Sequence, residues 1–87
     1  MKDINMISVM VNPNGHIGEQ IKLIRKKKNI RVEDACNKLS LLIGREVPRI
    51  NWYDYESKEK LHFDRVVAML TALGIKNIMI DDYKSYG

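Results

Sequence analysis

Six cations fall within ten residues, at Lys22, Arg25, Lys26, Lys27, Lys28 and Arg31. A cluster of that density attracts phosphate. The same cluster suits the last turns of a helix, whose dipole favours positive charge, and solvated helix ends of this kind are common. Other residues with chemical capacity are sparse. Cys36 is the single cysteine, so the chain forms no internal disulfide, and no second Cys suggests a metal site. A small buried residue on a helix is its expected role. His16 and His62 stand far apart without neighbouring ligands and read as helix-start or surface residues. No nucleophile–base pair, metal spacing or phosphate-cradling Gly-rich loop can be assembled. An enzyme is therefore not expected, and neither a cofactor, a metal nor a small-molecule substrate is implied.

The composition frames these residues. Eighty-seven residues make one small domain of marginal stability. The 45% hydrophobic and 30% charged fractions are those of a folded, soluble protein. The net charge is +4, from fifteen Lys and Arg against eleven Asp and Glu, a mild excess that does not by itself require a polyanion. No apolar run approaches the roughly 20 residues needed to span a bilayer. The opening Met-Lys-Asp-Ile-Asn-Met lacks an apolar stretch of signal-peptide length, so a cytoplasmic location is expected.

The elements follow from periodicity. Residues 4–11 are β-branched and apolar over a strand's length and stop at the turn signals of Asn12-Pro13-Asn14-Gly15. Ile17, Ile21, Ile24 and Lys28 then share one helical face. A first helix is predicted from Ile17 to Lys28, with Asn29 as its cap and Ile30 folding back onto the core. A second helix starts at Val32 with Glu33 and Asp34 in its first turn, buries Ala35, Leu39, Leu42 and Ile43, and stops at Gly44. Pro48 suits the first position of a third helix running to Tyr55, with Trp52 and Tyr55 on one side. Ser57 to Leu61 reads as a loop. Phe63, Val66, Val67, Leu70 and Leu73 mark a fourth helix that ends at Gly74, and Ile78-Met79-Ile80 in the tail reads as a strand. The expected organisation is a strand and turn extension over 1–16, a four-helix domain over 17–75, and a strand or tail over 76–87.

Three pieces in this order resemble the lambda-repressor-like (XRE-type) helix-turn-helix family. Ile17 through Ile30 (IGEQIKLIRKKKNI) looks like that family's first helix and its connection to the second. Gly44 through Glu56 (GREVPRINWYDYE) is similar to its turn and recognition helix, and Val66 through Ile75 (VVAMLTALGI) to its closing helix. The resemblance implies a mainly α fold, a four-helix lambda-repressor-like domain with short β-strands at the two ends. It departs from the family in two places. Val32 stands where a phosphate-contacting Gln is common, with Arg31 beside it as a substitute. About six extra residues also separate Cys36 from Glu56; four of them, Ser40 to Ile43, read as an added turn of helix two, and two lengthen the turn around Arg45 and Glu46.

What the resemblance implies for function is binding of double-stranded DNA, with helix three in the major groove. Arg49 and Asn51 become the expected base contacts, with Tyr53 as a third, since Arg suits guanine and Asn suits adenine as bidentate partners. Arg31, Arg45 and Lys58 flank the motif as expected phosphate contacts. Asp54 meets phosphate unfavourably unless it accepts from cytosine or orients an Arg. Arg25 and Glu56 fall on positions that the family pairs as an ion pair, and Trp52 on its buried aliphatic position. The apolar segments outside the motif point to a homodimer, since such dimers read half-sites a helical turn apart. A small transcriptional regulator, most simply a repressor, is the leading expectation. A protein-interaction module on the same fold, such as an antitoxin or inhibitor, is the alternative.

Overall fold

The computed structural model describes residues 6–81. Its elements are β1 (Ser8–Val11), α1 (Ile17–Lys27), α2 (Val32–Ile43), α3 (Arg49–Ser57), α4 (Phe63–Ala72) and β2 (Asn77–Ile80). The expected N-terminal extension with its strand over 4–11 and the expected tail over 76–87 run past these limits, so residues 1–5 and 82–87 lie outside the described residues. The described residues are mainly helical, with four helices and one short parallel sheet.

Each helix stop has a local cause. Asn29 takes the left-handed conformation (φ 56°). Its N–H donates to the Lys26 carbonyl at 3.0 Å, and the Ile30 N–H reaches back to Arg25 at 3.1 Å. These two bonds satisfy carbonyls that the end of α1 leaves open. Gly74 (φ 88°) repeats the arrangement after α4, with Gly74 donating to Thr71 and Ile75 to Leu70. Gly44 (φ 78°) closes α2 through a bond to the Ser40 carbonyl. At its start α1 is capped by His16, whose Nδ1 accepts from the Glu19 N–H at 3.0 Å.

Three expectations about the helices need correction. Pro48 is the N-cap of α3 and not its first helical residue; its extended backbone (φ −69°, ψ 156°) lies outside the helix, and α3 runs on to Ser57. Leu42 does not join the buried stripe of α2, which is Val32, Ala35, Cys36 and Leu39, and it is 51% exposed. At about 100° per residue, Leu42 falls about 60° to one side of Leu39, while Ile43 comes back close to the line of Leu39 and is half-buried. The last turn of α2 therefore keeps one of its two expected apolar residues inward. Phe63 opens α4 as expected and is exposed.

Ile21, Leu39, Trp52, Met69, Leu70 and Leu73 form the fully buried centre, drawn from all four helices. Val9 and Val11 of β1 pack into the same core, so the N-terminal segment is part of it. β1 and β2 pair in parallel with Ser8 opposite Asn77 and Val11 opposite Ile80. The strands thus pair within one chain, and the four-helix segment is the crossover between them. Lys76 and Asn77 donate to the Ile7 carbonyl, and Asp81 to that of Val11, which extends the pairing at both ends. The Lys28 ammonium leaves α1 and donates to the Met6 carbonyl at 2.8 Å, with burial lowering its pKa.

Candidate nucleic-acid interface

The orientation of α3 is set by one buried carboxylate. Glu56 Oε2 accepts from Arg25 Nε at 2.7 Å and from Trp52 Nε1 at 2.6 Å, and Oε1 accepts from Arg25 Nη2 at 3.1 Å. Arg25 Nη1 donates onward to the Ile30 carbonyl at 3.2 Å. The expected Arg25–Glu56 pair is present, bidentate, with the two residues 8% and 5% exposed. It joins α1, the α1–α2 connection and α3. A buried pair of this kind adds little net stability, because desolvation offsets the attraction, but it resists losing either partner. Trp52, fully buried as expected, adds an indole donor to the same carboxylate.

Both ends of α3 are held independently. At its C-terminal end the carbonyls of Lys58 and Glu59 accept the Gly18 and Ile17 N–H groups, each at 2.9 Å. The free donors at the start of α1 are thereby satisfied by the chain leaving α3. The approach is close enough that a Cβ on Gly18 would overlap the Glu56 carbonyl, so only glycine fits there. Before α3, the Ser40 hydroxyl donates to the Cys36 carbonyl at 2.7 Å and accepts the Val47 N–H at 2.8 Å. That bond pins the turn around Arg45 and Glu46, with Val47 buried beside it.

With Trp52, Glu56 and half-buried Tyr55 turned inward, α3 leaves Arg49, Ile50, Asn51, Tyr53, Asp54 and Ser57 exposed. Arg49 and Asn51 lie on opposite flanks of this face, since two residues turn a helix by about 200°. Ile50 lies between them and is 74% exposed. Tyr53 shares the flank of Arg49 one turn further on. Of the flanking cations, Arg31 is exposed at the start of α2 and sits 3.7 Å from Asp34, while Lys58 sits 3.8 Å from Asp54. Arg45 is exposed in the turn. Val32 is buried, so Arg31 is the polar residue at that helix start.

Two cations of the cluster over residues 22–31 join this surface. Lys22 and Lys26 of α1 line a cleft of about 450 Å³ with His16, Tyr53 and Ser57, beside the flank of α3. Their four-residue spacing on one helix was legible, but not that α3 would lie beside them. Gly18, Ser40 and the indole N–H were also missed; of these, only the indole carried a signal, since Trp52 stands four residues before Glu56. Burial raises the pKa of Cys36, with Arg49 opposing and Glu56 reinforcing the shift. Among the described residues no group of His, Cys, Asp and Glu is arranged to hold a metal ion, and no helix is long and apolar enough to cross a membrane.

No family model matches the chain, and no curated protein or solved structure matches it significantly.

Proposed function

We propose that the protein binds double-stranded DNA by laying α3 in the major groove, and that it acts in the cytoplasm as a small transcriptional regulator, most simply a repressor. The observation that carries this reading is the state of α3. The helix is oriented by the buried Arg25–Glu56–Trp52 network and held at both ends, yet its first turn offers Arg49 and Asn51 to solvent. Rigidly presented side chains on an exposed helix are what base readout requires. Arg45 is the strongest of the expected phosphate contacts, because Arg31 and Lys58 each stand near a carboxylate.

Selection of bound sequences from a random DNA pool tests the reading, followed by gel shifts on the winner. Enrichment of one sequence, with about 1–3 kcal/mol of preference lost on Arg49→Ala or Asn51→Ala, is the expected result. Binding that prefers no sequence would sink it. Arg45→Gln is expected to weaken all sequences alike and to reduce the salt slope by about 1.

A second copy of the chain is the proposed partner. Among the described residues each strand of the sheet has one strand neighbour, neither strand contains Lys or Pro, and Met10 and Met79 are exposed on them. Light scattering at tens of micromolar is expected to give a dimer mass; a monomer mass removes the proposal. The interaction-module alternative draws support from Ile50 and Asp54, an apolar and an acidic residue on the outward face of α3. In that case Arg49→Ala and Asn51→Ala leave any DNA binding unchanged.

A further inference from the structure

We propose that Ile50 reads the 5-methyl group of a thymine, so that the preferred DNA carries a thymine next to the bases met by Arg49 and Asn51. The inference rests on the DNA-binding reading above. Ile50 is two residues from Trp52, the most buried residue of α3, and therefore points about 200° away from it. Its side chain is 74% exposed and takes no part in the core. It is also placed between the two side chains best suited to bidentate base contacts.

The chemistry of the groove narrows what such a residue can meet. Each base edge in the major groove presents hydrogen-bond donors or acceptors, and thymine alone adds a hydrocarbon group. Isoleucine has no polar atom, so against any other edge it strips water from a donor or acceptor without replacing the bond. Against the thymine methyl it buries apolar surface on both sides. Arg49 and Asn51, on the two flanks, remain free to bond the neighbouring bases.

Deoxyuridine differs from thymidine only by the missing methyl, and this makes the test specific. Each dT in the selected site is replaced in turn by dU, and affinities are measured for the wild-type chain and for Ile50→Ala. At one position the wild type is expected to bind dU about fourfold more weakly, the effect of one buried methyl-sized group. Ile50→Ala is expected to bind dT and dU equally there. Its folding is not at issue, because the residue is exposed and alanine favours helix, and far-UV circular dichroism checks this. Binding that responds to dU at no position overturns the assignment of Ile50 while leaving DNA binding intact. An Ile50→Ala variant that still distinguishes dT from dU does the same. A random pool with no enriched sequence overturns the DNA reading, and this inference with it.

Discussion

Glu56 concentrates more structure than any other polar side chain of α3, since it accepts from Arg25 twice and from Trp52 once. Glu56→Ala leaves a buried guanidinium uncompensated and an indole N–H unpaired. The expected loss is about 3–5 kcal/mol, read by urea denaturation followed through Trp52 fluorescence. Replacing both partners, as in Arg25→Leu with Glu56→Leu, removes the uncompensated charge, and the double variant is expected to be more stable than either single one. Additive losses in that cycle would show that the pair is not coupled. Gly18→Ala is expected to cost about 1–3 kcal/mol or more, because the new Cβ meets the backbone of α3 and not a movable side chain. The ion pair was legible in sequence through the resemblance that aligned Arg25 with Glu56. Gly18 was not, because a glycine in the first turn of a helix looks merely permissive until its neighbour is known.

The helix stops were the most readable elements. Asn29, Gly44 and Gly74 all adopt positive φ, and each had been marked by its residue type directly after an apolar repeat. The stripe on α2 was less readable, since sequence spacing fixes the direction of Leu42 but not whether a partner reaches that far. Gly44 meets nothing within 4 Å that a Cβ would touch, so substitution there isolates the backbone cost. Gly44→Ala is expected to cost about 1–2 kcal/mol and to lower Tm by roughly 4–16 °C. Ser40→Ala acts on the same connection by a different route. It removes the acceptor of the Val47 N–H and is expected to cost about 1–3 kcal/mol by thermal or urea unfolding. If α3 reads DNA, the same substitution loosens its first turn and blunts sequence preference more than it weakens overall affinity. Equal losses on preferred and random DNA would count against that coupling.

Across the molecule, two titrating groups, buried Cys36 and half-buried Lys28, shape the alkaline limit of stability in opposite directions. Burial raises the Cys36 pKa, so the unfolded thiol ionises first and stability falls as pH rises above roughly 8.5. Burial lowers the Lys28 pKa, so the folded chain releases that proton first, and stability rises from the lowered value up to the ordinary lysine range. Denaturation curves between pH 8 and 11 are expected to lose the falling component in Cys36→Ala and the rising one in Lys28→Met. The domain as a whole was legible as four helices flanked by strands, but the parallel pairing was not, because nothing local in either strand names its partner. That pairing also governs the order of assembly. Ser8 and Asn77 are 69 positions apart, so β1 is synthesised long before β2 exists. The helices can gather around Ile21 and Leu70 while β1 waits with its backbone unpaired. The sheet is then expected to close last, leaving on an unfinished chain an apolar strand through which two nascent copies can adhere.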